Sequence, residues 1–300
     1  MQKVLRTEPA VAKANGIDIC YDTFGDRTAP PLLLIMGLAG QMIAWDEEFC
    51  SELARRGYYV VRYDNRDIGL STRFPEAGVP DLMSIIGQAL MGKPVTAAYT
   101  LSDMAADAVG LLDALGVQRA HVVGVSMGGA IGQELAIRHA NRLRTLTSIM
   151  SSTGDPSLPQ AAPEAMGVLM APPPKDKQGY FDNYKRTWAV LRGPGAFPLD
   201  EARDLERAEA NWQRGLNPPG VARQLAAIIA SGNRTEALKA VKVPTLVIHG
   251  DQDPLVRLEG GKATAAAIPG AKLMVVPGMG HALPVSLWPQ LIDAIAGHAR

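Results

Sequence analysis

The segment 124–128, with the sequence Gly-Val-Ser-Met-Gly, places a serine between two glycines. An apolar run precedes it at residues 120–123, and a helix-like stretch follows at residues 129–137. This context predicts a strand, a sharp turn with Ser126 at its apex, and a helix. A Cβ at either glycine position would crowd such a turn. The serine backbone should be strained, with its hydroxyl exposed above the sheet. The chemistry that these residues favour is nucleophilic attack by a serine.

A serine hydroxyl is a weak nucleophile at neutral pH and needs a base that accepts its proton. His281 follows the last apolar run, in the glycine-rich loop 277–284. It should therefore lie at the carboxyl edge of a parallel sheet, where Ser126 is also expected. His121 falls inside an apolar strand pattern and is predicted to be a core residue instead. We therefore predict that His281 is the general base.

The acid that orients this base should follow the apolar run 244–249. Two carboxylates, Asp251 and Asp253, are available just beyond that run. Spacing alone does not choose between them.

The oxygen that becomes negative when a serine attacks an ester needs N–H donors. One donor should be the N–H of Met127, because the first N–H groups of a helix have no partner inside the helix. The other should come from the loop after the first buried strand, residues 36–40, where glycines allow the backbone to approach a ligand. We predict the N–H of Leu38 as this second donor.

Short apolar runs alternate with helical patterns, which predicts a mostly parallel sheet covered by helices on both faces. Residues 10–24 alternate and break at Asn15-Gly16, which predicts a hairpin before this pattern begins. Thr100 and Asp103 resemble a capping box, and Gly116 should end the helix that they begin. The predicted later strands are 31–35, 58–63, 120–125, 143–150, 244–249 and 272–276, and the predicted helices are 45–56, 101–115, 126–139, 261–268 and 286–298.

The segment 151–242 interrupts this alternation, because it is rich in proline and then helical in pattern from residue 200 to residue 215. We interpret it as an inserted helical cap. A long link at residues 73–100 contains its own apolar stretch, 82–91, which we expect near the cap. The predicted division is a core of residues 1–150 and 243–300 and a cap of residues 151–242.

Several methionines fall in the loops at the predicted active edge or in the cap. Methionine fills irregular apolar space and adapts to varied ligands, so the pattern predicts a roomy apolar pocket. The predicted pocket residues are Met36, Gly37, Met150, Met166, Met170, Trp188 and Met279.

Charge and composition exclude several classes of protein. Lys plus Arg equals Asp plus Glu at 30 each, so no basic field favours nucleic acid or anionic membranes as partners. No apolar run is long enough for a membrane span, and the N-terminus lacks a signal-peptide pattern. Cys20 and Cys50 have no metal-ligand spacing and are predicted to be free thiols. We therefore expect a cytoplasmic protein without a metal or cofactor.

Five segments carry a resemblance to a known family: residues 34–37, 62–72, 105–109, 124–128 and 277–284. Through them the chain resembles the α/β-hydrolase superfamily over nearly its whole length, with serine, acid and histidine in that family's order. It is similar in particular to the esterase family of aclacinomycin methylesterase. This resemblance implies an α/β-hydrolase fold with a cap, and it implies Asp253 as the acid. It also implies that residues 64–71 brace the turn around Ser126.

These observations predict a serine esterase that cleaves an uncharged, fairly apolar small-molecule ester through an acyl-enzyme on Ser126. A serine at this position argues against the dehalogenases and epoxide hydrolases of the fold, which carry aspartate there. Lactonase, carbon–carbon bond hydrolase and cofactor-free haloperoxidase activity remain alternatives. A receptor that binds a ligand on the same fold without catalysis is an alternative of another class.

Overall fold

The computed structural model describes residues 4–195, 197–198 and 200–300, so residues 1–3 of the predicted core and Ala196 and Leu199 of the predicted cap lie outside the described part. The strands are β1 Ala10–Ala14, β2 Ile17–Phe24, β3 Pro31–Ile35, β4 Tyr59–Tyr63, β5 Ala120–Val125, β6 Leu143–Ile149, β7 Thr245–Gly250 and β8 Lys272–Val276. Within the described residues they form one sheet in the order β1-β2-β4-β3-β5-β6-β7-β8. β2 runs antiparallel to β1 and β4, and every other neighbouring pair is parallel. The predicted mostly parallel sheet is therefore confirmed.

The helices are α1 Glu47–Arg55, α2 Leu82–Leu90, α3 Leu101–Ala114, α4 Met127–Arg138, α5 Pro163–Leu169, α6 Lys177–Leu191, α7 Glu201–Arg214, α8 Pro218–Ser231, α9 Thr235–Leu238, α10 Leu258–Ala267 and α11 Trp288–His298. Side chains of α3, α4 and β3 meet in one buried cluster, whereas α1 and α11 contribute to a second cluster on the opposite face of the sheet. Along β3, Leu33 and Ile35 join the first cluster, and Leu32 and Leu34 join the second. A strand that is buried on both faces needs this wholly apolar sequence.

Local sequence signals correctly predicted the hairpin turn and both ends of helix α3. Asn15 and Gly16 have positive φ angles of 49° and 79° in the hairpin between β1 and β2. At the start of α3, the Thr100 N–H donates to the Asp103 carboxylate at 2.7 Å, and the Asp103 N–H donates to the Thr100 hydroxyl at 3.4 Å. Gly116 follows α3 with a φ of 70°.

The segment between β6 and β7 contributes helices α5 to α9. The helix predicted at residues 200–215 is α7, whereas α5, α6 and α8 were not predicted individually. The apolar stretch at residues 82–91 forms α2, which packs against α8, so it lies beside the inserted helices as expected. The short α9 packs against α4 and α10, and thus the end of the insertion returns to the core.

Neither cysteine forms a disulfide within the described residues. Cys20 and Cys50 are buried free thiols, as predicted. Burial raises the pKa of the Cys50 thiol to about 12. In the part of the chain that the structure describes, no helix combines the length and the apolar character that a membrane span requires.

His121 lies in β5 and is buried, as predicted for a core histidine, with its Nδ1 2.9 Å from the Thr145 hydroxyl. Burial, together with the nearby Arg144 and His298, lowers the pKa of His121 to about 4. The unfolded chain takes up the same proton below about pH 6.5. The imidazole is therefore neutral in the folded protein over a range in which it is charged in the unfolded chain.

We expect the free energy of unfolding to fall as the pH decreases from about 6.5 to about 4, because only the unfolded state gains the His121 proton in this range. The limiting slope of this contribution is about 1.4 kcal/mol per pH unit. His121→Gln, which can still bond to Thr145, should show a shallower decline in urea denaturation between about pH 6.5 and 4.5. The other histidines are unchanged in both proteins, so equal slopes would contradict the neutral burial of His121.

Candidate active site

Ser126 lies at the turn between β5 and α4 with a φ of 55° and a ψ of −120°. This conformation is strained for a residue with a Cβ, as predicted. A Cβ at Gly124 would lie 2.1 Å from the Gly128 carbonyl oxygen, and a Cβ at Gly128 would lie 2.2 Å from the Ile35 carbonyl oxygen. Both flanking glycines are therefore required by the close packing of α4 against β5 and β3.

Ser126, His281 and Asp253 form one series of hydrogen bonds. His281 Nε2 is 3.0 Å from Ser126 Oγ, and His281 Nδ1 is 2.7 Å from Asp253 Oδ2. His281 follows β8 on a loop whose backbone is held by α6, because the His281 N–H donates to the Leu191 carbonyl at 2.7 Å. The side chains of His281 and Asp253 are buried, at 7% and 0% exposure. The imidazole is therefore held between the serine and the carboxylate with little contact with solvent.

The two aspartates that follow β7 occupy different positions. Asp253 Oδ1 accepts hydrogen bonds from the N–H groups of Leu255 and Val256, each at 2.9 Å, which leaves Oδ2 for His281. Asp251 is exposed, and its Oδ1 accepts from the Gly278 N–H at 2.7 Å. The structure thus brings Asp253 onto His281 and uses Asp251 to join two loops.

A second histidine packs behind the carboxylate. His249 Nε2 lies 2.8 Å from the Val256 carbonyl and 3.6 Å from Asp253 Oδ2. Burial lowers the pKa of His249, which keeps this imidazole neutral. Its contact with Val256 supports the short loop that supplies N–H donors to Asp253.

The backbone near Ser126 offers two further N–H groups. Gly37 lies against the serine, since a Cβ there would be 3.1 Å from the Ser126 Cβ. Among the described residues, neither the N–H of Leu38 nor that of Met127 donates to a backbone or side-chain acceptor. Met127 is the first residue of α4, where an N–H has no partner inside the helix. Both N–H groups are thus free for a ligand oxygen.

Residues of the segment 64–71 hold the loop that contains Leu38. Asn65 Nδ2 donates to the Met36 carbonyl at 2.9 Å, and Asp64 Oδ1 accepts from the Met42 N–H at 2.7 Å. The segment was predicted to brace the turn around Ser126, and these contacts place its support on the neighbouring loop. Arg214 of α7 is paired with Asp64, so one of the helices inserted between β6 and β7 contacts the same segment.

A cavity of about 2460 Å³ lies between the carboxyl edge of the sheet and helices α2 and α5 to α8. Ser126, Met127, Leu38 and His281 lie in its wall. Six of the predicted pocket residues also line it: Met36, Gly37, Met150, Met166, Met170 and Trp188.

Met279 was predicted to line the pocket, and this prediction is wrong. Its side chain is fully buried in the hydrophobic cluster that contains Val276 and Leu287, and it does not contact the cavity. The loop after β8 passes close to β7, where a Cβ at Gly250 would lie 1.9 Å from the Met279 carbonyl oxygen. This close approach directs the methionine side chain into the core.

The α6 wall of the cavity is aromatic. The rings of Tyr184 and Trp188 have centroids 6.0 Å apart, and those of Tyr180 and Tyr184 are 5.9 Å apart. Burial raises the pKa of the Tyr184 hydroxyl, so it is uncharged at neutral pH. Arg192 and Asp204, which also line the cavity, pair with each other at 2.5 Å.

In the part of the chain that the structure describes, no three His, Cys, Asp or Glu side chains cluster as metal ligands.

Comparison with known proteins agrees with this architecture. A family model for the alpha/beta hydrolase fold matches residues 30–285. Rhodomycin D methylesterase of Streptomyces peucetius is 32% identical and that of Streptomyces sp. strain C5 is 31% identical, each with 95% of both chains covered. The solved structure of a meta-cleavage product hydrolase from Pseudomonas fluorescens IP01 has a TM-score of 0.76 at 20% identity and covers 96% of each chain.

The family match includes the loop after β3, the turn at Ser126 and the loop that carries His281. The two methylesterases extend the sequence similarity to nearly the full chain. The meta-cleavage product hydrolase supports the fold alone, because its sequence identity is low. Taken with the geometry of the site, these similarities show that the chain belongs to the α/β-hydrolase family and is a hydrolase.

Proposed function

We propose that the protein is a carboxylic ester hydrolase in which Ser126 is the nucleophile, His281 the general base and Asp253 the acid that orients His281. The observation that supports this most is the unbroken series of hydrogen bonds, 2.7 Å from Asp253 to His281 and 3.0 Å from His281 to Ser126. The names of the two methylesterase relatives favour an ester as the substrate.

The reaction follows from these positions. His281 Nε2 removes the hydroxyl proton as Ser126 Oγ bonds to the ester carbonyl carbon. The oxygen that becomes negative receives hydrogen bonds from the N–H groups of Leu38 and Met127. The bond to the alcohol oxygen then breaks, and His281 returns the proton to the departing alcohol. Water attacks the acyl-enzyme by the same route, which releases the carboxylic acid and restores Ser126. No metal or cofactor takes part in the proposed steps.

The proposed substrate is an uncharged, fairly apolar small-molecule ester. Met36, Met150 and Trp188 give the cavity adaptable apolar walls. Both relatives are named as methylesterases, so methyl esters are the first class that should be assayed.

We also propose that residues 1–150 and 243–300 are the core domain and that residues 151–242 are the cap. Helices α5 to α8 contribute much of the wall of the cavity that Ser126 also lines, as expected of a cap that selects substrates.

A substrate panel combined with covalent labelling tests the proposed function. The purified protein should hydrolyse at least one methyl or p-nitrophenyl ester, and a fluorophosphonate should label Ser126 and abolish that activity. The panel should also contain lactones, a vinylogous diketone and a halide with peroxide. Activity on one of these without ester hydrolysis would favour that alternative reaction. Labelling of Ser126 with no turnover of any substrate would favour a receptor.

We expect substitutions of Met166, Met170 or Trp188 to change the preference among esters of different chain length. Each residue lines the cavity and belongs to the proposed cap, so it should affect binding of the acyl or alcohol group. The ratio of kcat/KM for a long ester to that for a short one should change about tenfold for Trp188→Ala, the range for a hydrophobic pocket contact.

Leu205→Ala is the matched control for these variants, because Leu205 is on cap helix α7 but is half exposed and lies outside the cavity lining. It should leave the chain-length preference unchanged. An equal loss for all esters in the Trp188 variant would count against a pocket role for the cap.

A further inference from the structure

The loop at residues 36–42 has a strained backbone beside Ser126. Ala39 has a φ of 62°, a conformation that residues with a Cβ rarely adopt. The N–H of Leu38, the proposed oxyanion donor, immediately precedes this residue. The contacts that hold Ala39 therefore decide where the Leu38 N–H points.

One cap side chain holds Ala39 in place. Gln224 of α8 has no exposed surface, and its Oε1 accepts a hydrogen bond from the Ala39 N–H at 3.2 Å. Its Nε2 donates to the Arg66 carbonyl at 2.8 Å. A single buried amide thus connects the strained loop with the segment 64–71 that braces it.

A second attachment joins the same loop to α7. Gln41 Nε2 donates to the Asn211 carbonyl at 3.0 Å, and Gln41 Oε1 accepts from Arg214 Nε at 2.8 Å. Residues 39 and 41 are therefore both held from the cap side, whereas Met36 and Met42 are held by Asn65 and Asp64 from the core side.

We propose that Gln224 is a positioning residue for the reaction: it keeps the Leu38 N–H directed at the developing oxyanion by fixing Ala39. The proposal rests on the proposed function, because it assumes an oxyanion at this place. The cap then has a role in the chemical step as well as in substrate selection.

Other contacts keep α8 docked without Gln224, so its effect on the loop can be separated from general attachment of the cap. Arg223 of the same helix pairs with buried Asp67 at 2.7 and 2.8 Å. Ser231, also on α8, accepts from the Leu101 N–H at 2.9 Å, and this contact does not involve the oxyanion loop. Ser231→Ala is therefore a matched control that removes a different bond between α8 and the core.

The test compares Gln224→Met, which has a similar shape but no hydrogen bonds, with Ser231→Ala. We expect Gln224→Met to lower kcat for ester hydrolysis about tenfold to a hundredfold, with KM changed less than about threefold, because the lost interaction acts in the transition state. Its inhibition constant for butaneboronic acid, which forms a tetrahedral adduct with a serine, should increase by a similar factor. Ser231→Ala should keep kcat and boronate affinity within about twofold of the wild type.

Gln224→Asn provides a second measurement if the methionine variant does not fold. Its amide is one methylene shorter and cannot reach both Ala39 and Arg66, so kcat should fall at least about fivefold at unchanged KM. Wild-type kcat and boronate affinity in a folded Gln224 variant would overturn the proposal, as would equal losses in Ser231→Ala. The Ser126→Ala variant separates the two proposals. If it is inactive, the results for the Gln224 variants test the role of Gln224. If it is active, the proposed function itself is overturned.

Discussion

Replacing Ser126 with alanine should lower kcat for ester hydrolysis about a million-fold, the loss typical of removing the nucleophile from such a triad. Among the residues that the structure describes, Ser126 Oγ is the only hydroxyl oxygen bonded to His281 Nε2, at 3.0 Å. The fold should remain, since the turn is held by backbone groups that alanine keeps. The Ser126 N–H donates to the Ile149 carbonyl at 2.9 Å, and its carbonyl accepts from the Gly129 N–H at 2.9 Å. The strained φ is no worse for alanine than for serine.

Steady-state hydrolysis of a p-nitrophenyl ester measures this loss, and near-UV circular dichroism checks the fold. Ser151→Ala is a suitable control, because Ser151 is a buried serine in the wall of the same cavity and is not bonded to His281. It should retain most of the activity. A folded Ser126→Ala protein that keeps about a tenth of the wild-type rate would show that another group is the nucleophile.

The parts of the site that the sequence predicted are those with strong local signals. The two glycines around Ser126 are needed because α4 packs directly on the strand that precedes it, and that requirement is visible within five residues. The position of His281 followed from one loop at the end of one strand. Parallel strands bring their carboxyl ends to one edge, so the topology then placed Ser126 and His281 together.

The contacts between the inserted helices and the rest of the chain could not be predicted in the same way. Gln224 lies 185 residues from Ala39 along the chain, and a glutamine in an amphipathic helix usually faces solvent. Its burial depends on how α8 docks, which no local periodicity specifies. The prediction that Met279 lines the pocket was wrong for a related reason. The loop composition indicated the active edge, but the approach of Met279 to β7 directs its side chain into the core.

Helices α6 and α8 of the proposed cap contact both loops that flank Ser126. Leu191 of α6 accepts from the backbone N–H of His281, and Gln224 of α8 accepts from that of Ala39. Backbone contacts of this kind fix the direction of the groups beside them, and small displacements are costly in catalysis. If the proposed mechanism is right, these two contacts are separate routes by which the proposed cap affects the reaction rate, in addition to shaping the cavity.

Asp253→Asn should lower kcat about ten-thousand-fold, whereas Asp251→Asn should leave it nearly unchanged. In the first variant, the amide oxygen is required by the N–H groups of Leu255 and Val256, which both bond to one oxygen of Asp253. The new NH₂ group then faces His281 Nδ1 and can pair with it only if that nitrogen has lost its proton. The imidazole carries its proton on Nε2 in that tautomer, so it no longer accepts the proton of Ser126.

In the Asp251→Asn variant, the amide oxygen still accepts from the Gly278 N–H, so the loop contact survives. Both variants keep the size of the side chain, and their comparison by kcat and by thermal unfolding separates orientation of the base from loop stability. A silent Asp251→Asn beside an active Asp253→Asn, both folded, would assign the orienting acid to Asp251.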